Sequence, residues 1–361
     1  MKTLTARELN RAMLARQLLL ERSPKSVTQA LEAVGGLQTQ NATAGYIGLW
    51  SRLRKFELAD LTKALEDRRA VQGTMMRVTI HLVSARDYPL VAAGTRPSRR
   101  EIYLRGHKRL LAEKDVEKAI SAAKRALEGR SLSRSELKPV VESAPLWNGV
   151  NALDDVLRVP PSGTWERRRA DIYAMADDWL GPYEGTEEEG LELLLERYLG
   201  GFGPARLADA ASWAGVPPKK MEQAAEKLRL RRFEDAEGKQ LLDLTRGPLP
   251  PAKTVAPVRF LPTWDATLLA HARRAQILPE EYRSLVFSTR TPQSVATFLV
   301  DGAVAGAWTV KRSAKKAELV LEPYDKVPAR AAKELQAEGE RLVRFHEPDA
   351  QTHTVRLAGS K

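Results

Sequence analysis

The chain has 361 residues, enough at roughly 150 per domain for two or three domains with cores of their own. With 43% hydrophobic and 29% charged residues it is globular rather than disordered, and its net charge of +12 favours a polyanionic partner over a basic surface serving solubility alone. The absence of cysteine excludes disulfide frameworks, zinc ribbons, iron–sulfur clusters and thiol nucleophiles, and five scattered histidines leave little for a metal cage.

The first segment, MKTLTARELNRAMLARQLLLERS, is broken by Glu and Arg and does not read as a secretory signal. No window approaches the roughly 20 apolar residues of a membrane span, so a soluble cytoplasmic protein is expected. Thr5 and Glu8 form a T-x-x-E capping box ahead of a helical repeat of Leu9, Met13, Leu18 and Leu19. A second helix from Ser26 to Val34 stops at Gly35-Gly36, and a third runs from about Leu58 to Asp67. In MMRVTIHLV the period changes to two: Met76, Val78, Ile80 and Leu82 alternate with Arg77, Thr79 and His81, which predicts a half-buried strand. Three helices and a strand suggest a winged-helix module over residues 1–95. A second candidate, residues 96–185, contains LSRSELKPVVE, NALDDVLRV and DIYAMADDWLG, with PPSGTWERRR as its wing. The third, residues 186–250, has the clearest pattern: helices around Leu191–Leu199, ARLADAASWAG and KKMEQAAEKLRL, then a hairpin turning at Glu237-Gly238. Residues 251–361 begin in a Pro-rich boundary, continue as strands with a tight turn at Asp301-Gly302, and close with the helix PARAAKELQAEGERLVRF. The fold class is α+β, mainly α, with tandem winged-helix motifs and a C-terminal β-rich region.

Few residues carry a chemical suggestion. In an extended stretch Gln38 and Gln40 project to one side and Thr39 to the other, so two amides can donate to and accept from one water. The same spacing also suits a solvated loop after a helix. Arg77, Thr79 and His81 read either as a polar wall facing DNA, with His81 as a donor, or as the solvent face of a wing strand. Arg99, Arg100 and Lys108 lie in RPSRREIYLRGHKR, a cationic cluster around Tyr103 and His107 that suits phosphate contacts or an ordinary solvated helix face. Trp165 beside Arg167 and Arg168 suggests an aromatic wedge with phosphate-binding guanidiniums, or a core anchor. His271 and Arg273 lie in LLAHARRAQ. No phosphate-binding, dinucleotide, metalloprotease or nucleophile-elbow motif occurs.

Six stretches in order, GGLQTQNATAGYIGLWSR, TMMRVTIHLVSARDY, VPPSGTWERR, RYLGGFGPARLADAASWAG, FLPTWDATLLAHARRAQILP and FLVDGAVAGAWTVKR, together resemble the AlkZ/YcaQ-like bacterial winged-helix DNA glycosylases. These enzymes unhook interstrand crosslinks and remove bulky N7-alkylguanine adducts. The resemblance implies three tandem winged helices in a C-shaped scaffold with a basic concave face. It also implies catalysis by the Gln-x-Gln pair, Gln38 and Gln40, around a position usually apolar and here Thr39. Gln at the second position is similar to the AlkZ branch, associated with self-resistance to DNA-alkylating natural products, and His271 with Arg273 resembles a His-x-Arg element associated with DNA contact. The expected partner is damaged double-stranded DNA, bound by a monomer with no cofactor or metal. The competing expectation is a non-enzymatic winged-helix DNA-binding protein, a regulator or one that sequesters lesions.

Overall fold

The computed structural model describes residues 1–169, 171–272, 275–287 and 294–359. It begins with β1 (Lys2–Thr3), α1 (Ala6–Arg16), α2 (Val27–Val34), β2 (Leu37–Gln38), α3 (Ala42–Arg52), α4 (Leu58–Glu66), β3 (Ala70–Thr74) and β4 (Ile80–Ser84). The capping box forms as expected: Glu8 N–H donates to Thr5 Oγ1 at 3.2 Å and Thr5 N–H to Glu8 Oε2 at 2.9 Å. Helix α1 ends at Arg16, short of Leu19, because Leu18 takes a left-handed conformation (φ 58°).

The predicted strand across Met76–Leu82 is corrected. Arg77 and Val78 both adopt positive φ, 55° and 57°, so the chain turns there and β4 starts only at Ile80. Met75 N–H donates to the Thr79 carbonyl at 3.0 Å, closing a hairpin between β3 and β4. Alternation in the sequence came from a turn followed by a strand. Arg77 and Thr79 therefore do not share a strand face with His81.

The chain continues through α5 (Tyr88–His107), α6 (Glu113–Leu127), β5 (Leu132–Ser133), α7 (Arg134–Leu137), α8 (Ala144–Leu153), β6 (Val156–Arg158), β7 (Ile172–Met175) and α9 (Ala176–Leu180). Strands from both sides of residue 95 join one six-stranded sheet in the order β2-β4-β3-β6-β7-β5, with Gly73 paired to Leu157. Next come α10 (Glu187–Phe202), α11 (Leu207–Ala214), α12 (Pro218–Lys227) and the antiparallel pair β8 (Leu230–Glu234) and β9 (Gln240–Leu244). Strand β1 adds to β8 in parallel, so the first residues complete a three-stranded sheet with the 230–244 hairpin.

The last region holds β10 (Arg259–Leu261), α13 (Arg283–Val286), β11 (Thr297–Val300), β12 (Ala303–Arg312), β13 (Lys316–Pro323), α14 (Ala329–His346) and β14 (Thr352–Leu357). Its sheet runs in order from β10 to β14, antiparallel except for β13–β14, which α14 connects as a crossover. The fold is α+β and mainly helical, as expected.

A continuous core joins the units: Met13 and Leu14 of α1, Tyr198 and Phe202 of α10, Trp213 of α11, and Leu261 and Leu299 of the last sheet belong to one buried cluster. Helices α5 and α10 cross almost backbone to backbone. A Cβ on Gly94 would lie 2.6 Å from the Gly190 carbonyl carbon, and one on Gly190 would lie 2.3 Å from the Leu90 carbonyl oxygen. Two wholly buried ion pairs brace the interior, Arg16 with Asp243 and Arg52 with Asp265. The second is bidentate at 2.9 Å on both arms, and Arg52 also donates to the Gly48 carbonyl and to Gln17 Oε1.

Candidate active site and nucleic-acid interface

The Gln38 segment is placed by two glycines. Gly35 and Gly36 (φ 77° and 79°) end α2 in the left-handed region, and a Cβ on Gly36 would meet Val83 Cγ1 at 2.9 Å. That turn lays β2 against β4, pairing Gln38 with His81. Gln38 is 7% exposed, and its Oε1 accepts from Arg77 Nη2 at 3.0 Å. Thr39 is fully buried; its N–H donates to the Ile80 carbonyl at 2.8 Å, and its hydroxyl makes no hydrogen bond to a described residue. At Gln40 the chain bends and emerges to solvent, and Asn41 then caps α3 by accepting from Ala44 N–H at 3.0 Å. Extended geometry thus holds through Thr39, and the two glutamines differ sharply in burial.

Arg77 is the residue that assembles this site. Its backbone rests on Gly215, the left-handed cap of α11, where a Cβ would stand 2.7 Å from Arg77 N. Its Nη1 donates to the Trp213 carbonyl at the C-terminal end of α11, where a cation is favoured by the helix dipole. His81 is fully buried, and burial, with Arg77 nearby, pushes its pKa down to about 3. Its Nδ1 lies 3.0 Å from the Thr79 carbonyl, which can only accept, so Nδ1 carries the proton and Nε2 is an acceptor. The expected role of His81 as a donor to a lesion is corrected on that ground: its one N–H is spent inside the turn. Thr79 likewise turns its hydroxyl inward, to the Met76 carbonyl at 2.9 Å.

The cationic candidates divide. Arg99 is 2% exposed and donates to Asp155 at 3.1 Å and to the Thr74 carbonyl at 2.7 Å, so it braces the interior and cannot meet a phosphate. Arg100 is taken up by Glu113 and Glu117. Trp165 is a core anchor rather than a wedge: it is 8% exposed and packs edge-on against Tyr46 at 5.4 Å and His346 at 5.2 Å. His271 is also interior, with Nδ1 3.1 Å from the Tyr198 hydroxyl and 3.7 Å from Asp209, and among the described residues the cleft it borders carries Asp209, Asp235 and Glu237 beside Arg206. Asp209 is held below the usual carboxylate range, against its burial, by the neighbouring His271 and a hydrogen bond from the Ala272 N–H. Arg273 lies outside the described residues. Arg167, Arg168 and Lys108 remain at the surface, Arg168 stacking over Trp165 at 4.6 Å and Arg167 reaching Asp171 at 3.2 Å.

Sequence reasoning missed Arg77 as the tie between α11 and Gln38, and Arg52–Asp265 beneath α3. No local signal marks either, since Arg77 lies 39 positions from Gln38 and 136 from Trp213, and Arg52 lies 213 from Asp265.

Among the described residues, the side chains of Gln38, Gln40 and His81 form no hydrogen bond with a carboxylate, and no group of three or more His, Asp or Glu is placed to hold a metal ion. Nor is any helix long and apolar enough to cross a membrane. The chemistry that Gln38 and Gln40 can offer is that of neutral amides, which donate and accept but do not protonate a leaving group.

This mixed, mainly helical fold has a solved counterpart. Streptomyces sahachiroi DNA glycosylase AlkZ matches with a TM-score of 0.80 over 99% of this chain and 100% of that one, at 17% identity, a likeness of fold. A sequence search of curated proteins gives no match. The family model described as DNA glycosylase AlkZ-like matches residues 31–345, and the chain belongs to that family of DNA glycosylases.

Proposed function

We propose that this protein hydrolyses the N-glycosidic bond of N7-alkylguanine in double-stranded DNA, bulky natural-product adducts included, and so serves DNA repair and self-resistance to a DNA-alkylating antibiotic. The observation that carries this reading is the neutral site: a buried, tethered Gln38 opposite a His81 that stays uncharged at neutral pH. Alkylation at N7 gives the base a positive charge. When the C1′–N9 bond breaks, its electron pair neutralises that charge, so departure needs no acid. Water adds through oxygen to C1′ and loses one proton to solvent. The protein has only to place the water and tolerate positive charge at the sugar. An uncharged base would need a proton that this site does not supply.

Gln38 and Gln40 are the proposed catalytic pair. Arg167, Arg168 and Lys108, all exposed, are the proposed phosphate contacts. Single-turnover excision of an N7-alkylguanine from duplex DNA tests the proposal. Replacing either glutamine with Ala should slow base release by about 10²-fold while duplex affinity holds, and the double variant should lose less than the product of the two. Tight binding to the lesion without abasic-site formation would identify a sequestering protein instead. Wild-type rates from the double variant would remove the assignment of the glutamines. Survival of a sensitive host expressing the protein, challenged with an N7-alkylating antibiotic, tests the resistance role.

A further inference from the structure

We infer that Arg77 is a positioning residue that makes the two glutamines unequal: it holds the Gln38 oxygen, so that Gln38 serves the reaction as a fixed hydrogen-bond donor and Gln40 as the acceptor. The inference rests on the proposed catalytic role of these amides and adds a division of labour within it.

A carboxamide facing a neighbour can present either its oxygen or its nitrogen. Facing a guanidinium, which only donates, it must present oxygen, and the 3.0 Å contact from Arg77 Nη2 to Gln38 Oε1 has that polarity. The NH₂ is then the end turned away from Arg77. A cation on the oxygen also draws electron density toward it, which strengthens the N–H groups as donors and weakens the oxygen as an acceptor.

Arg77 is itself hard to move. Its backbone sits in the left-handed region next to another left-handed residue, Val78, and lies against Gly215 too closely for any Cβ there. Its other arm is tied to the Trp213 carbonyl. The orientation of one amide on β2 is therefore set by the C-terminal end of α11, a helix more than 170 positions further along the chain. Gln40 has no such restraint: it is exposed, at a bend, and its side chain makes no hydrogen bond to a described residue. A water anchored through one lone pair by the Gln38 NH₂ keeps its other lone pair for C1′, while the Gln40 oxygen accepts one of its protons.

The test is a double-mutant cycle read by single-turnover excision of N7-methylguanine, with affinity for undamaged duplex measured alongside. Arg77→Lys keeps the charge but cannot span both acceptors, and should slow excision at least tenfold with duplex affinity and its salt dependence unchanged. In a Gln38→Ala background the same change should cost less than twofold. Gln38→Glu keeps the Arg77 contact but has no donor and should be as slow as Gln38→Ala, whereas Gln40→Asp should retain a measurable part of the rate. Effects that multiply across the cycle, or an active Gln38→Glu, overturn the inference. So does an Arg77→Lys protein that binds duplex more weakly but excises normally at saturation, which would make Arg77 a phosphate contact. Should wild type excise nothing, the glycosylase reading fails first; the side-chain NH₂ resonance of Gln38, identified by its loss in Gln38→Ala, still reads the tie. A resonance unmoved in Arg77→Lys overturns the inference without reference to activity.

Discussion

Residues 187–244 and residues 35–84 each supply helices, a glycine-stopped helix end and a paired hairpin, yet different forces hold them. The helix ends and turn of the first segment are set from within, although Arg16 of α1 also pairs with its Asp243 and β1 adds to its hairpin. Thr186 and Glu189 cap α10 reciprocally, Gly215 stops α11, Pro218 starts α12, and Asp235 accepts from the Glu237 and Lys239 N–H groups at the turn between β8 and β9. The second is organised from outside. Gln38 is oriented by Arg77, Arg77 by α11, and α3 by an ion pair to Asp265. Locally specified structure makes a frame, and the candidate site sits where several distant segments of that frame meet. Substitutions in the two segments should therefore differ in size and reach.

The largest effect on stability should come from Asp265→Ala. It strands the Arg52 guanidinium in the interior without its carboxylate, which costs about 3–5 kcal/mol in comparable buried pairs. Urea unfolding measures it, and a loss below about 1 kcal/mol would mean that α3 does not depend on this distant partner. The pH dependence comes next. His81 is held at about 3 in the folded state, against an ordinary value of 6.5, so below that value the unfolded chain takes up a proton that the folded chain refuses. Stability from this group is fully present above pH 6.5 and is lost as pH falls toward 3, by at most about 1.4 kcal/mol per pH unit. His346, also pushed down by burial, adds in the same sense. A His81→Gln protein should lose stability less steeply between pH 6.5 and 4.5; an unchanged slope would show that the imidazole is accessible to protons.

Within the locally organised segment, Thr186→Ala should cost only about 1 kcal/mol, the usual worth of an N-cap, with no change in excision. An effect of the same size but opposite sign is expected at Thr39. Thr39→Val removes a buried hydroxyl with no partner among the described residues and keeps the shape, so it should raise stability by about 1 kcal/mol in thermal unfolding. A loss would mean that the hydroxyl is satisfied in solution.

The same contrast explains what could be read in advance. The Thr5–Glu8 box, the Gly35-Gly36 stop and the three helices and hairpin of 187–244 announce themselves through short-range chemistry. Helix α3 does not: ten of its eleven residues are buried, so it lacks an amphipathic period. The Arg77–Val78 turn was also hidden, because neither residue is one that favours positive φ. The spacing of Gln38 and Gln40 singled them out as a pair, but their unequal exposure depends on a bend at Gln40 that alternation does not encode. Charge density in 96–109 pointed outward, whereas Arg99 turns inward to Asp155, 56 positions away.

The crossing of α5 and α10 has its own consequence for how this protein tolerates change. At most tight packing sites a larger residue on one side can be rescued by a smaller one opposite, because side chains meet side chains. At Gly94 and Gly190 each prospective methyl group meets main chain, and no substitution can shrink a backbone. Saturation of either position should therefore give a nearly blank row in a mutational scan, with no second-site suppressor at its partner. The separation of α5 and α10 is in this sense fixed by the width of two bare peptide chains.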